Sequence, residues 1–463
     1  MLRLFREIWY TELTPKDWEL GIITKLSKKG DLKECSNWRG ITVSSIVLKI
    51  FSLVLLNRMK NALDEALRDE QAGFRSKRGC SDQIFALRHI IQQSVEFRVP
   101  LIMLFIDFEK AFDSKHRPSL WRVLRSYGLP CKYVNLIKNI HESSRCQVNV
   151  DGELSPEFHV SSGVLQGNVL SPILFAVLID YVLKRTIDGR EVGIEWVQGK
   201  YLADLDYADD VEMISKCVEQ LQALLNTLEE NGKKFGLKIN ANKNEVMRTE
   251  EAMAGNICLE NRDINEVDSF KYLGTIIRND GSLEDEFAER LKRGHQTMGR
   301  LNKIWRSNRL SSHTKIRLYI SLVRSVLTYG NESWYCNETI ERRFRVFENK
   351  ALRRILGVKW QDRVPNSIIR EITRVPWLDE WMMTNRWRWL GHILRTNQQR
   401  IVREAVDWEP VGTRRRGRPR PTWVRTMRRE AGEDWRTLPE RAQDRNEWRE
   451  YVRALCVARR WRW

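Results

Sequence analysis

The stretch KYLADLDYADDVEMIS, residues 200–215, decides which fold we predict for this chain. Apolar and polar residues alternate from 201 to 207, and the apolar pattern resumes at Val211, which is typical of two half-buried strands. Four of the seven residues from Asp204 to Asp210 are nevertheless aspartates. Neighbouring carboxylates repel one another, so at least one has a raised pKa unless a cation lies between them. The pattern predicts a hairpin with its tip near Ala208 and Asp209, and the charges favour a polyvalent metal ion there.

A second strand supplies a further carboxylate. The segment LIMLFIDFEKAFD, residues 101–113, opens with six apolar residues, which indicates a strand buried on both faces and ending at Asp107. If this strand lies beside the hairpin, the carboxylates of Asp107, Asp209 and Asp210 converge on one face. Such oxygen ligands suit Mg²⁺, and two such ions about 4 Å apart serve in-line phosphoryl transfer. For Asp209 and Asp210 taken alone, ordinary turn aspartates are an equally good interpretation.

The charge distribution indicates a polyanionic partner for the C-terminal part of the chain. The 463 residues carry a net charge of +18, with a pI near 9.6. From Glu341 to Trp463 there are 31 Lys+Arg and 16 Asp+Glu, a net of +15, which leaves 18 − 15 = +3 for the first 340 residues. The same segment holds 11 of the 18 tryptophans. A hydrophobic content of 42% excludes a disordered chain.

The cysteines and the apolar runs indicate the cellular compartment in which the protein is expected. The eight cysteines form no CxxC pair and no Cys/His group with zinc spacing, so we interpret them as reduced thiols of an intracellular protein in the nucleus or cytoplasm. The N-terminal MLRLFREIWY has no signal-peptide core, and no uncharged apolar run reaches about 18 residues. We therefore expect no membrane partner.

Seven motifs occur in the order in which reverse transcriptases carry them. FIDFEKAFD (105–113), SGVLQGNVLSP (162–172), YADD (207–210), GLKINANKNEVM (236–247) and FKYLGT (270–275) resemble motifs A to E, and KKGDLKECSNWRGI (28–41) and QAGFRSKRGCSDQIFALR (71–88) resemble the preceding finger motifs. The resemblance is to enzymes of non-LTR, LINE-type retrotransposons of the RTE-like group, over about residues 20–280. It continues more loosely through RRGRPRPTW and AQDRNEWR.

The resemblance implies an α+β, right-hand polymerase fold with a basic helical C-terminal region. We expect fingers at 1–100 and a palm with an antiparallel sheet at 101–282, interrupted by a finger insertion at about 117–160. A helical thumb at 283–360 and a basic, Trp/Arg-rich nucleic-acid-binding region at 361–463 follow.

The resemblance also implies roles for the acidic residues and for one lysine. Asp107 and Asp209 are expected to be the principal ligands of two Mg²⁺ ions, for which Mn²⁺ can substitute, and Asp210 a supporting ligand. Lys243 matches the lysine that protonates the pyrophosphate leaving group, although it could equally be a solvated loop lysine. All four are predicted catalytic residues.

The nucleotide and the primer have their own implied contacts. Phe112 is expected to be the steric gate that excludes a 2′-hydroxyl, with packing in the core as the alternative. Gln166 and Gly167 are expected to lie against the incoming nucleotide, where Gly permits close approach, or simply to form a turn. The remaining implied contacts are Ala111 at the floor of the nucleotide site, Lys28, Lys29 and Arg39 at the triphosphate, and Tyr272, Leu273 and Gly274 as the primer grip.

The C-terminal arginines and tryptophans permit two interpretations. Arginines interleaved with tryptophans suit a surface that follows phosphates and stacks on bases, whereas a helical core with buried tryptophans is favoured around Trp387 and Trp389. The segment 416–419, RGRP, spells a minor-groove-binding core, one interpretation among several for an Arg-rich arm. We predict nucleic-acid contact for Arg75, Arg414, Arg415, Arg416, Arg418 and Arg420.

The predicted activity is addition of dNTPs to a DNA primer 3′ end copied from an RNA template, as in target-primed reverse transcription. The chain begins almost at the first finger motif, so we expect the N-terminal endonuclease domain of such elements to be absent and the nick to be made in trans. One alternative is a truncated or domesticated nucleic-acid-binding relic, which Leu165 in place of the usual basic residue of motif B favours. A second is an RNA-making polymerase with a similar palm.

Overall fold

The computed structural model describes residues 1–28, 30–109, 112, 116–197, 199–414 and 417–460. Lys29, Ala111, Arg415 and Arg416, for which the sequence predicts contacts, lie outside these residues. Helices and mostly antiparallel strands alternate along the rest of the chain, so the α+β prediction is confirmed. The domain limits drawn from the sequence stay predictions.

The helices of the described residues are α1 (Leu2–Thr11), α2 (Ile46–Ala66), α3 (Cys80–Phe97), α4 (Arg117–Ser126), α5 (Cys131–Glu142), α6 (Ser171–Ile187), α7 (Val218–Lys234), α8 (Glu284–Arg300), α9 (Asn302–Arg306), α10 (Ser312–Leu318), α11 (Ser325–Leu327), α12 (Glu338–Leu356), α13 (Asn366–Thr373), α14 (Leu378–Leu394), α15 (Ile401–Ala405), α16 (Trp423–Ala431), α17 (Leu438–Arg441) and α18 (Arg445–Arg460). None of the helices in this part of the chain is both long enough and apolar enough to cross a membrane.

The strands of the described residues are β1 (Leu20–Ser27), β2 (Trp38–Val43), β3 (Ile102–Ile106), β4 (Arg145–Val150), β5 (Glu153–Leu154), β6 (Phe158–His159), β7 (Ile194–Val197), β8 (Lys200–Leu202), β9 (Asp204–Tyr207), β10 (Asp210–Ser215), β11 (Glu245–Arg248), β12 (Cys258–Leu259), β13 (Arg262–Asp263), β14 (Asn265–Glu266), β15 (Ser269–Tyr272) and β16 (Thr275–Arg278).

The central sheet has the strand order β14-β11-β3-β10-β9. All five residues of β3 are buried, as its unbroken apolar run predicts, and the strand pairs antiparallel with both β10 and β11. The helices α6 and α7 cover one face of the sheet through Phe175, Leu221 and Leu225. The buried-strand and hairpin predictions are both confirmed, and the two motifs that carry the aspartates are neighbours in one sheet.

A second sheet lies on the finger side. Strands β1 and β2 form an antiparallel hairpin around a basic loop, and β4 joins β1 in parallel. Strand β2 leads directly towards the motif B loop, because the Thr42 amide donates to the carbonyl oxygen of Gln166 at 2.6 Å. The finger hairpin and the loop before α6 are therefore connected by backbone hydrogen bonding.

The C-terminal helices pack onto the fingers through tryptophans. On α3, Phe85 contacts Trp389 and Trp423 with ring centroids 4.8 and 4.7 Å apart. Trp387 is fully buried and donates through Nε1 to Glu430 at 2.8 Å. The interpretation of these residues as helical core is correct, because Trp387 packs against Trp448 and Tyr451 of α18 and the half-buried Trp389 packs against Phe85 and Trp423.

Candidate active site

The predicted hairpin tip is a two-residue turn. Tyr207 pairs with Asp210 across it, and Ala208 has φ of 61°, in the left-handed region. On the other side of β10, Val211 pairs with Ile106 of β3. Continuing this antiparallel register by one residue places Asp210 opposite Asp107. Two of the three predicted aspartates thus occupy adjacent strand ends.

A finger loop holds this turn in place. The Gln71 side-chain oxygen accepts from the Ala208 amide at 2.9 Å and from the Gly73 amide at 2.7 Å. A Cβ added to Gly73 would lie 2.3 Å from the Ala208 nitrogen, so only glycine permits this approach. Sequence reasoning missed Gln71, although it quoted the motif QAG that contains it.

The three carboxylates at the tip act on one another electrostatically. Asp210 remains accessible to solvent, yet the surrounding protein and the carboxylates of Asp209 and Asp107 raise its pKa to about 6. The sequence predicted such a raised pKa for neighbouring carboxylates without a cation. The negative charge accumulated here favours a cationic ligand.

The other two aspartates of the stretch have a different task. Arg68 donates from Nη2 to Asp204 at 2.8 Å and to Asp206 at 2.9 Å, and from Nε to Asp180 of α6 at 3.1 Å. All three carboxylates are buried. The alternation of the strand therefore separates the aspartates, because Asp204 and Asp206 face the partly buried Arg68 whereas Asp209 and Asp210 lie at the tip.

The motif D loop wraps around Asp107. Lys243 Nζ lies 2.9 Å from Asp107 Oδ2, and Asn240 Nδ2 lies 3.3 Å from the same oxygen. The Asp107 amide donates to Asn244 Oδ1 at 3.0 Å. Lys243 is 65% exposed but ion-paired, which differs from a purely solvated loop lysine. The two asparagines were missed, and their position within NANKNE is the signal that could have found them.

The metal-ligand roles of Asp107, Asp209 and Asp210 stay predictions. Among the residues that the structure describes, no three His, Cys, Asp or Glu side chains are grouped closely enough to hold a metal ion by themselves. Asp209 lies in the turn, and Lys243 pairs with Asp107. The donor chemistry nevertheless fits Mg²⁺, which is usually held by one or two carboxylates together with substrate phosphates and water. Asp107 and Asp210 form such a pair.

The predicted steric gate lies at the junction of two cores. The Phe112 ring stacks on Phe175 of α6 with centroids 4.9 Å apart, and the side chain is half-buried. The Phe112 carbonyl accepts from the Val164 amide at 2.9 Å, which links motif A to motif B. The ring is thus fixed from below by α6. The packing agrees with the core interpretation made from the sequence, and the gate role stays a prediction.

The motif B glycine is required by its surroundings. Gly167 has φ of 121°, and a Cβ added to it would lie 2.3 Å from the Thr42 carbonyl oxygen. Of the predicted triphosphate contacts, Arg39 lies exposed on β2 and Lys28 follows β1 in the same hairpin. The structure therefore brings Gln166 and Gly167 against the finger hairpin that carries these cations.

Replacing Gly167 with alanine should displace the motif B loop. We expect at least a 10-fold rise in KM for the incoming nucleotide, because either β2 or the loop must move by more than an ångström and φ becomes strained. Gly189→Ala is the matched control, since Gly189 also has positive φ (76°) but no atom within 4 Å of its added Cβ. Equal KM values for the two variants, measured by steady-state nucleotide incorporation, would contradict the prediction.

The predicted primer grip is a tight hairpin. Leu273 and Gly274 have φ of 44° and 83°, as a type I′ turn requires, and they join β15 to β16. Tyr272 is buried, while the Leu273 carbonyl accepts from Tyr329 at 2.8 Å. The Gly274 carbonyl accepts from Arg290, so protein donors hold both carbonyl oxygens of the turn, and the Tyr272 ring is not at its surface.

The predicted nucleic-acid-binding arginines differ in accessibility. Arg75 is buried and donates to Asp64 at 2.6 Å and to the backbone of the finger loop, so we assign it to the support of that loop. Burial of its guanidinium is the reason that the sequence-based role does not suit it. Arg414 is bound to Glu96 at 2.6 Å, whereas Arg418 and Arg420 are exposed.

A known protein family matches the chain. Residues 26–277, more than half of the chain, match the family described as Reverse transcriptase (RNA-dependent DNA polymerase). This segment contains the aspartate hairpin, the motif D loop and the finger hairpin.

Curated relatives are similar over longer segments. The chain is 26% identical over 375 residues to the probable RNA-directed DNA polymerase from transposon BS of Drosophila melanogaster, covering 76% of this chain and 40% of that protein. It is 25% identical over 400 residues to the RNA-directed DNA polymerase from mobile element jockey of the same species, covering 81% and 42%. It is 30% identical over 243 residues to the polyprotein of the type-2 element R2DM, covering 52% and 22%. The chain thus spans less than half the length of these relatives.

Among solved structures, apo telomerase from Candida tropicalis is similar, with a TM-score of 0.47 and 13% identity, covering 87% of this chain and 73% of that chain. The same telomerase truncated from its C-terminal domain gives a TM-score of 0.42 and 16% identity, covering 60% and 57%.

Proposed function

The chain belongs to the reverse transcriptase family, which has the right-hand polymerase fold, and on that premise we propose that it is the RNA-directed DNA polymerase of a non-LTR retrotransposon. The proposed reaction is nucleotidyl transfer of dNTPs onto a DNA primer 3′ end, with RNA as template. The primer of target-primed synthesis is a nicked DNA end, for which an endonuclease is the proposed partner. The site of action would be inside the cell, in the nucleus or the cytoplasm.

One observation carries the proposal. Asp107 and Asp210 lie at adjacent strand ends beside the Asp209 turn, and the pKa of Asp210 is raised to about 6 by partial burial and by the two neighbouring carboxylates. A surface turn without a cationic ligand would gain nothing from this concentration of negative charge. The arrangement suits substrates that arrive as a metal-bound triphosphate.

Reverse transcriptases generally use divalent metal ions, and Asp107, Asp209 and Asp210 are the residues that would hold two Mg²⁺ ions here, with Mn²⁺ as a substitute. When bound, these ions activate the attacking hydroxyl and stabilise the leaving oxygen. Lys243 would be released from Asp107 as its negative charge is taken up. Its ammonium group, at the mouth of the site, is then available to protonate the pyrophosphate.

The other predicted residues would position the two substrates. Phe112, held by Phe175, would lie beneath the sugar. Gln166 and Gly167 would lie along the nucleotide, with Arg39 and Lys28 on the adjoining hairpin near its phosphates. The backbone of the Leu273–Gly274 turn would hold the primer strand.

The proposal is tested by primer extension with the purified full-length chain. On poly(rA)/oligo(dT) with dTTP we expect Mg²⁺-dependent incorporation that EDTA abolishes. Retained binding of the template–primer without extension would identify the chain as a nucleic-acid-binding relic and overturn the proposal. Nothing in the positions of the three aspartates favours that alternative, because all of them are intact.

The Phe112→Ala variant separates a reverse transcriptase from an RNA-making polymerase. Removing the ring should raise rNTP use relative to dNTP use by about 10- to 100-fold, the range expected when a steric contact of this size is lost. Single-nucleotide incorporation with dTTP and UTP measures the ratio. Phe158→Ala, an exposed ring on β6, is the control that should leave the ratio unchanged. An unchanged ratio in both variants would favour an RNA-making enzyme.

A further inference from the structure

Two C-terminal helices face each other with arginines. Arg388 and His392 lie four residues apart on one face of α14, and Arg395 follows directly after the helix, three residues further on. On α18, Arg445 and Arg449 are one turn apart. These five side chains, together with Trp448, line a groove of about 560 Å³.

The groove is rigid because its two walls are locked together. Trp448 of α18 is buried and donates through Nε1 to the Trp387 carbonyl at 3.1 Å. A Cβ added to Gly391 would lie 2.1 Å from Trp448 Nε1, so the absence of a side chain on α14 permits the contact. The tryptophan therefore fixes the spacing of the helices rather than serving as a platform for bases.

The arginines of the groove lack acidic partners. Within the described part of the chain, Arg388, Arg395, Arg445 and Arg449 form no ion pair with a carboxylate. Arg445 instead lowers the pKa of Arg395, in addition to the lowering that burial causes. Arg395 donates to the Ala442 carbonyl at 2.8 Å and Arg449 to Asn446 Oδ1 at 3.1 Å, but neither contact neutralises the positive charge. Like charges one helical turn apart, as at Arg445 and Arg449, destabilise a helix unless an opposite charge lies near them. An anionic ligand in the groove would neutralise these charges.

The groove continues towards the aspartate hairpin. An adjoining cavity of about 590 Å³ shares His392, Arg395 and Arg445 and is lined further by Lys77 and Arg78 of the finger loop. The acids at this end are already neutralised, because Asp69 binds Arg78 at 2.6 Å and Asp64 binds Arg75 at 2.6 Å. The same loop, through Gln71, holds the hairpin tip.

We propose that the groove between α14 and α18 is a binding site for the phosphodiester backbone of a nucleic-acid strand, which follows the basic track to the finger loop. The ligand is recognised by several guanidinium groups that contact successive phosphates, without reading of base edges. The proposal rests on the proposed function for the identity of its ligand as template or primer strand. It assigns a site separate from the arm that contains Arg414.

The test is a salt titration of strand binding by fluorescence anisotropy, without metal or dNTP. Full-length wild type is compared with R388Q/R395Q/R445Q/R449Q and with the control R3Q/R6Q/R190Q/R262Q, which removes four exposed arginines elsewhere. Single-stranded RNA and DNA of one sequence form separate arms. The groove variant should lose on the order of 100-fold in affinity, and its slope of log K against log salt should fall by about 2 to 3.

The possible results of the salt titration either support or overturn the proposed binding site. If the groove variant loses affinity for both RNA and DNA, the groove is a general site for the phosphodiester backbone. If it loses affinity for RNA alone, the site also requires the 2′-hydroxyl. Both results support the proposed site. An equal, small loss for groove and control variants would overturn it. If the fourfold variant unfolds, R445Q/R449Q on the exposed side of α18 gives the same comparison with half the effect. Strand binding does not require turnover. If the chain binds the strand but does not extend a primer, the proposed polymerase activity is refuted, whereas the proposed binding site in the groove is still supported.

Discussion

Asp209→Ala should reduce the rate of nucleotide incorporation by about three orders of magnitude. Electrostatic stabilisation by a bound metal contributes several kcal/mol to such transition states, and about 4 kcal/mol corresponds to 10³-fold in rate. Asp209 lies in the two-residue turn beside Asp210 and is one of the two charges that raise its pKa. The measurement is single-turnover incorporation of dTTP on poly(rA)/oligo(dT) at saturating Mg²⁺.

The same variant should fold as well as wild type. Removing the Asp209 charge relieves its repulsion with Asp210, so the thermal unfolding midpoint should be unchanged or slightly raised in metal-free buffer. A loss of activity without a loss of stability then identifies a functional side chain. Asp188→Ala, at an exposed position after α6, is the control and should keep full activity. Incorporation by the Asp209 variant within 10-fold of wild type would remove Asp209 from the site.

The parts of the site that the sequence predicted are those that depend on local pattern. Alternation between 201 and 215 fixed the hairpin, and an unbroken apolar run fixed the buried strand before Asp107. Burial on both faces placed the strand inside a sheet, but its position beside the hairpin was only a condition of the prediction until the structure showed β3 paired with β10. Register and hairpin geometry then brought Asp107 and Asp210 together without further information.

The parts that the sequence could not predict depend on contacts between distant residues. Gln71 reaches the turn at Ala208 across 137 positions, and Arg68 reaches Asp204 across 136. A composition-based interpretation treats an arginine in a finger motif as a ligand for nucleic acid, whereas Arg75 is buried inside its own loop. The basic groove was missed for the same reason, because its arginines come from two helices that are distant in sequence and pack together through contacts such as Trp387 with Tyr451 and Gly391 with Trp448.

The ion cluster beneath the hairpin should dominate the stability of this part of the fold. Arg68→Met leaves Asp180, Asp204 and Asp206 buried without a cation, and removing one partner from such a buried cluster typically costs about 3–5 kcal/mol. Chemical denaturation should therefore show a large loss in the free energy of unfolding. Arg6→Met, at an exposed position on α1, should change it by less than about 0.5 kcal/mol. Arg68→Lys should be intermediate, because an ammonium group cannot contact three carboxylates as a planar guanidinium does.

The loss in Arg68→Met should also depend on pH, and the sign follows from Asp206. Burial and the Asp204 carboxylate raise the pKa of Asp206 well above its ordinary value, and Arg68 opposes that rise. Without the arginine, the pKa of Asp206 in the folded state exceeds its unfolded value by still more. The folded state then binds a proton that the unfolded state has released, so the free energy of unfolding falls as the pH rises above the ordinary pKa of an aspartate. The variant should be destabilised more at pH 8 than at pH 5. A loss that is independent of pH, or smaller at pH 8, would mean that the three carboxylates obtain water or another cation when Arg68 is removed, and that the hairpin does not depend on this pairing.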